Sequence, residues 1–322
     1  MAHEGGTQGN GKPPRIVHLD KMTMGGFEIP RPDAAHEWIE HAFSEPSEVV
    51  ERLAGAQVAI INKVKMDAAT LDALPDLKLI AVTATGTDVV DSAAASARGI
   101  AVRNVVGYAG TSVAEHVIML VFALNRGLVP FRESVVDGRW AGGKAFCVFA
   151  APVRDIVGQR LGLFGSGAIA QSVATKARAL GMDVVFAGRQ GQAAGEGKLA
   201  FEEVLATSDV ISLHCPLTDD TRHMLNAETL GMMKPGAMIL NTARGALIDL
   251  DALEAALESG HIGGAGIDVA PVEPPPPGSA ILRLADRPNV IVTPHAAWLS
   301  KQAVTDLAQR TGDNIANFLA GK

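Results

Sequence analysis

Three short stretches late in the chain carry side chains that can work together on a small anion. They are Asn241-Thr242-Ala243-Arg244-Gly245, then Gly266-Ile267-Asp268-Val269 followed by Glu273-Pro274, and Thr293-Pro294-His295-Ala296-Ala297-Trp298. A histidine titrates near neutral pH, so His295 can give a proton to a carbonyl oxygen and take it back. A carboxylate beside it, such as Glu273, favours the imidazolium and fixes the ring tautomer. The guanidinium fork of Arg244 can hold a carboxylate through two parallel hydrogen bonds and so fix the neighbouring carbon. Taken singly, each residue has an ordinary reading: a surface ion-pair partner, a glutamate solvated beside prolines, a histidine closing a loop. Jointly they form a candidate catalytic set.

A second signal lies upstream. Gly165-Ser166-Gly167-Ala168-Ile169-Ala170 matches G-x-G-x-x-A directly after an apolar run at 161–164 and before a helix-like stretch at 171–180. That context makes it a candidate dinucleotide loop. Gly165 allows the tight turn, Gly167 admits the pyrophosphate to the backbone, and Ala170 is small where helix meets strand. The helix N-terminus then presents N–H groups to the phosphates. The following strand ends in Ala187-Gly188-Arg189-Gln190. NAD sites usually carry an acid there, whereas Arg189 can pair with a 2′-phosphate. The expected cofactor is therefore NADP or NAD, with NADP favoured by Arg189.

These groups need strands to position them. Apolar, β-rich runs fall at 16–19, 58–61, 79–82 and 100–102, and again at 161–164, 184–187, 210–213, 238–241, 265–269 and 290–293, alternating with helix-like stretches. The fold class is α/β: two doubly wound parallel-sheet domains, Rossmann or flavodoxin-like, with a cleft between them. The expected domains are 1–110 plus 296–322, and 111–295. Ligands sit beyond the carboxyl ends of strands in such sheets, so Arg244, Asp268 and His295 should face one crevice, with Glu273 on a loop leaving it. Between the two series, 112–126 is apolar on every face and opens with Ser112-x-x-Glu115, a capping-box pattern. It should be a buried helix, between domains or subunits. A last helix is expected over 300–320, returning to the first domain. The four prolines 274–277 should form a stiff loop.

The chain has 322 residues, a net charge of −7 and two distant cysteines, Cys147 and Cys215. The negative charge argues against nucleic-acid or membrane partners. The cysteines belong to no metal-type cluster and are expected to be free thiols in a reducing cytoplasm. The Gly-rich start, residues 1–12, has no apolar core of a leader and is expected to be a flexible arm.

With these motifs in place, the chain resembles the D-isomer-specific 2-hydroxyacid dehydrogenase family over nearly its whole length after the arm. The resemblance implies hydride transfer between NAD(P)H and a small 2-oxo or 2-hydroxy acid. It implies that Arg244 binds the substrate, that His295 is the acid/base with Glu273 its partner, and that Asp268 lies near the nicotinamide. It extends to the stretches 61–66, 76–91 and 146–149, which are similar to bacterial glycerate dehydrogenases (hydroxypyruvate reductases). Hydroxypyruvate, with glyoxylate second, is the implied substrate; for Lys63 a place near it stays open beside the default reading of a surface lysine. The remaining cofactor candidates are Ala168, Ile169, His214, Pro216, Thr242 and Ala243. A loop similar to Thr83-Ala84-Thr85-Gly86-Thr87-Asp88 meets the substrate carboxylate in the family, which implies Thr85 and Gly86, although relatives often have glycine at the Thr85 position. Trp140 resembles a tryptophan that some relatives insert into a partner's site, and a homodimer is implied. Two alternatives stay open: another 2-hydroxy acid such as lactate, and a dinucleotide-sensing, corepressor-like binding protein.

Overall fold

Strands that are apolar at consecutive positions require cover on both faces, and the computed structural model, which describes residues 12–322, builds two parallel sheets of that kind. The arm expected over residues 1–12 lies outside the described residues up to residue 11. The chain divides into two units, 1–109 with 300–322, and 110–299.

The first unit carries β1 (Arg15–His18), β2 (Glu37–Glu40), β3 (Val58–Ile61), β4 (Leu79–Val82) and β5 (Ala101–Arg103) in the order β2-β1-β3-β4-β5, all parallel. Its helices are α1 (Val49–Arg52), α2 (Ala68–Asp72), α3 (Ser92–Ala97) and α11 (Lys301–Leu319). The sequence reading missed β2. Its residues, Glu-Trp-Ile-Glu, are charged at both ends and only partly buried, as suits an edge strand paired on one side to β1. The long α11 starts on Ser300, whose hydroxyl accepts the Ala303 N–H at 3.1 Å, a favourable helix cap. Ala303, Val304, Leu307, Ala308, Thr311, Gly312 and Ile315 form its buried stripe, and it packs against β4.

The second unit carries β6 (Arg160–Phe164), β7 (Asp183–Phe186), β8 (Val210–Leu213), β9 (Ala237–Asn241), β10 (Ile262–Ile267) and β11 (Val290–Val292) in the order β11-β10-β9-β8-β6-β7. On one face, α4 (Gly110–Asn125) and α6 (Ala168–Ala179) bury Val117, Leu120, Val121, Val173, Ala174 and Ala177. On the other, α7 (Phe201–Thr207) and α9 (Leu250–Glu258) bury Phe201, Leu205, Leu253 and Leu257. The remaining helices are α5 (Leu128–Val136), α8 (Ala227–Gly231) and α10 (Ala280–Ala285). The prolines 274–277 lie in a loop.

One expectation for α4 is corrected. It begins at Gly110, so Ser112 lies inside its first turn and caps nothing; its hydroxyl donates to the Ala297 carbonyl at 2.8 Å instead. On the same helix Met119 is 45% and Phe122 39% exposed within the chain, so the expected cover on that side would have to come from a partner subunit. The sheet covers only one side of a cylinder, and an apolar sequence does not say what covers the other.

Gly312 offers a test of packing against propensity. A Cβ there would sit 2.6 Å from the Pro30 carbonyl oxygen, a backbone atom that cannot swing away. Alanine gains about 1 kcal/mol of helix propensity over glycine, whereas overpacking costs about 1–3 kcal/mol. Gly312→Ala should therefore lower the urea midpoint; a raised midpoint would contradict this packing.

Candidate active site

In both sheets the order reverses beside the first strand of the unit, and in the second unit this switch point lies between β6 and β8. The loops leaving these two strands meet there. Gly165 has φ +117°, and a Cβ on it would lie 2.4 Å from the His214 carbonyl oxygen. The glycine is thus required both by conformation and by the approach of the neighbouring loop. Gly167 is the N-cap of α6, with no side-chain cap and open space where its Cβ would be. Ser166, Gly167 and Ala168 are exposed, Ile169 is partly buried, and Ala170 is fully buried beneath the helix. Lys198 Nζ lies 3.2 Å from Ser166 Oγ, a cation beside the loop that the sequence reading did not single out. Arg189 is exposed in the loop after β7.

Strands β9, β10 and β11 are parallel neighbours, so the segments leaving their carboxyl ends lie side by side. Arg244 follows β9. The fully buried Asn241 side chain fixes that turn, donating to the Arg244 carbonyl at 2.8 Å and accepting the Ala243 N–H at 3.0 Å. Next to it, Gly245 allows contact with the segment after β10: a Cβ there would lie 2.1 Å from the Ala270 carbonyl carbon. That segment leads to Glu273, whose Oε1 accepts the Ala270 N–H at 2.9 Å and whose Oε2 lies 2.6 Å from His295 Nδ1. Glu273 is therefore held at one oxygen and holds the ring with the other. Both side chains are about one-third exposed, 28% for Glu273 and 31% for His295, accessible but not freely solvated.

His295 has φ +52°, in the left-handed region that only a few per cent of non-glycine residues adopt, asparagine, aspartate and histidine more often than the rest. Its N–H donates to the Asp268 carbonyl at 2.7 Å. The Asp268 carboxylate, 1% exposed, accepts Thr293 Oγ1–H and the Ala296 and Ala297 N–H groups. This differs from the expectation that Asp268 faces a crevice. Its carboxylate turns inward because two consecutive amides of the following turn need a buried acceptor. His116 Nε2, on α4, lies 3.1 Å from Thr293 Oγ1, and burial lowers its pKa despite the opposing Asp268 charge. Asn241, Thr293 and His116 were absent from the candidate set. Their signal was a polar residue at the end of an apolar run, or within an apolar helix.

The other candidates are scattered. Thr85 Oγ1 donates to the Val105 carbonyl at 3.0 Å in the first unit, where Gly86 follows it. Trp140 is half-exposed and donates Nε1–H to the Phe146 carbonyl at 3.0 Å. Lys63 gives its backbone N–H to Asp20 at 2.7 Å. Pro216 lies in the exposed loop after β8.

These residues fit a dinucleotide. The N-terminus of α6 is open at Gly167 and lacks a side-chain cap. Thr242 Oγ1, in the turn after β9, is buried with no hydrogen-bond partner, as an atom awaiting a bound group would be. No carboxylate occupies the Gly188-Arg189 position after β7.

Residues 118–297, more than half of the chain, match the family model described as D-isomer specific 2-hydroxyacid dehydrogenase, NAD binding domain. Over 313 residues the chain is 50% identical to a Methylorubrum extorquens protein named glycerate dehydrogenase, covering 96% of this chain and 97% of that one. A solved protein of Thermus thermophilus is similar at a TM-score of 0.82 and 34% identity, covering 96% and 97% of the two chains. An NADPH-dependent glyoxylate/hydroxypyruvate reductase of Sinorhizobium meliloti, solved with NADP and malonate, is similar at a TM-score of 0.80 and 26% identity, covering 96% and 94%.

His214 gives a pH test. Burial pushes its pKa down from 6.5 to about 4, and its Nε2 pairs with Ser212 Oγ at 2.9 Å. The unfolded chain then takes up a proton that the folded chain refuses. This contribution is complete above pH 6.5 and is lost as pH falls from 6.5 towards 4, by about 1.4 kcal/mol per pH unit. In urea denaturation at pH 7 and pH 4.5, His214→Gln should show a smaller acid loss than the parent; equal losses would refute the assignment.

Proposed function

We propose, for a chain that belongs to the D-isomer-specific 2-hydroxyacid dehydrogenase family, a particular reaction: reduction of hydroxypyruvate to D-glycerate, with glyoxylate as a second substrate. The chain is an NAD(P)-dependent oxidoreductase of 2-hydroxy acids. The 50% identical relative named glycerate dehydrogenase supports the choice of substrate. The observation that carries the chemistry is the His295–Glu273 pair at 2.6 Å, with Glu273 anchored on the Ala270 N–H.

Bound NAD(P)H supplies the hydride. The chain's own residues handle the substrate anion and the proton. Arg244, in a turn pinned by Asn241, holds the substrate carboxylate in its guanidinium fork and so fixes the carbonyl beside it. Reduction leaves negative charge on the carbonyl oxygen, and His295 supplies the proton there through Nε2, since Nδ1 is engaged by Glu273. The Glu273 carboxylate stabilises the imidazolium before transfer and keeps the tautomer correct for the reverse reaction. Gly165, Gly167, Ala168 and Ile169 receive the pyrophosphate at the N-terminus of α6, with Thr242, Ala243, His214 and Pro216 along the neighbouring strand ends.

NADP is the preferred form in this reading, because Arg189 stands where an acid would repel a 2′-phosphate. The solved S. meliloti relative is described as NADPH-dependent. A homodimer is also proposed. Val136, Phe146 and Phe149 are 70%, 92% and 94% exposed, and Val135 and Trp140 are about half-exposed, apolar side chains within one stretch of the chain that a partner subunit would cover. Among the described residues no single helix is long and apolar enough to cross a membrane. The net charge of −7 supports a reading without nucleic-acid partners, and a cytoplasmic location is part of the same proposal.

Initial rates with hydroxypyruvate, glyoxylate, pyruvate and phenylpyruvate, each with NADH and NADPH, test the reaction. Hydroxypyruvate should have the highest kcat/KM. No turnover with any 2-oxo acid, alongside tight dinucleotide binding, would overturn the proposal in favour of a sensor. His295→Ala should lower turnover at least ~100-fold, the lower end for general acid–base catalysis, and near-normal turnover would refute its role. Arg189→Ala should raise the KM for NADPH much more than for NADH; equal effects would remove the argument for NADP.

A further inference from the structure

The Thr293-Pro294-His295 turn is held from behind by groups that the reaction itself does not use. Thr293 Oγ1 has one proton, and at 2.5 Å from Asp268 Oδ1 it gives that proton to the carboxylate. Towards His116 Nε2, at 3.1 Å, the hydroxyl therefore acts as acceptor. His116 must carry a proton on Nε2, which makes the order of donation His116 to Thr293 to Asp268. Asp268 is the charged group facing His116, at 3.8 Å. Its carboxylate is also the acceptor for the Ala296 and Ala297 N–H groups at 2.8 and 3.0 Å, and its carbonyl accepts the His295 N–H.

Every one of these bonds bears on the residue that sits at φ +52°. A left-handed histidine persists only where its surroundings over-determine it. Glu273 fixes the ring, but the direction of the Cα–Cβ bond is set by the backbone, and the backbone is set by Asp268. The carboxylate is in turn fixed on its far side by Thr293 and, through it, by His116 on α4. We propose that Thr293 and His116 are positioning residues for His295, acting through the buried Asp268 carboxylate. The proposal rests on the acid–base role of His295.

Removing the Thr293 hydroxyl leaves the carboxylate short of one donor in a place water does not reach, and the carboxylate re-orients to recover it. The two amides follow, and His295 shifts. A misplacement of about 1 Å in a reacting group costs on the order of a hundredfold in rate.

The test uses two pairs of variants in the full chain. Thr293→Val and His116→Leu delete the links at similar volume; Thr293→Ser and His116→Gln keep a hydroxyl and an N–H donor. Expected are a kcat at least about tenfold lower in the deleting variants, an unchanged Kd for NADPH by fluorescence titration, and recovery of most of the kcat in the conserving variants. NMR titration of the His295 imidazole should be displaced in Thr293→Val and restored in Thr293→Ser, a readout independent of turnover. Wild-type kcat and an unmoved His295 titration in Thr293→Val would overturn the proposal, as would a kcat loss that Thr293→Ser fails to recover. If the titration moves while His295→Ala retains turnover, the acid–base reading fails and the positioning stands.

Discussion

Buried carboxylates hold the strand-end loops of this protein, and Asp268 is the one on which the site depends most. Where a parallel strand ends, the chain turns and its amides lose the ladder that satisfied them. A carboxylate with two oxygens can accept several such amides at once, at short range and without solvent competition. Asp268 does this for Ala296 and Ala297, and so fixes the histidine immediately before them. In the first unit Asp20 plays the same part at the switch point between β1 and β3: 3% exposed, it accepts the Asn62 and Lys63 N–H groups at 2.9 and 2.7 Å. The same device thus orders the carboxyl-end loops in both sheets, where doubly wound folds place their ligands.

Glycines without side chains complete what the carboxylates begin. Gly165 lets the loop after β6 approach the loop after β8, and Gly245 lets the turn after β9 approach the segment after β10. Each closes a gap that a single methyl group would hold open. A Cβ at either position would meet neighbouring backbone at 2.4 Å or less, so the cost of substitution falls on whole loops rather than one rotamer. The consequence for chemistry is direct. Arg244, Glu273 and His295 come from three strand ends, and their registry depends on how closely those ends pack.

Much of this was legible in the sequence, for identifiable reasons. Strands β3, β4 and β8 coincide with the apolar runs at 58–61, 79–82 and 210–213, because burial on both faces leaves an uninterrupted apolar signature. The glycine loop was legible because it is local: turn, close approach and helix start fall within six residues. The edge strand β2 was not, since an edge covered on one side admits Glu37 and Glu40. The start of α4 was misplaced because a capping-box pattern is only a pattern, and Ser112 found a partner 185 positions away in Ala297.

The sequence by itself determined the alternation of strands and helices, the glycine loop between strand and helix, and the choice of an arginine, a glutamate and a histidine as candidates, since each is written in residues adjacent along the chain. Only the tertiary structure decided that Glu273 reaches His295 across 22 positions, that Asp268 turns away from solvent, and that His116, in an apolar helix, stands behind the turn that carries His295. Those are hydrogen bonds between distant segments. Their existence depends on strand order and on close backbone approach, neither of which leaves a periodic trace in sequence.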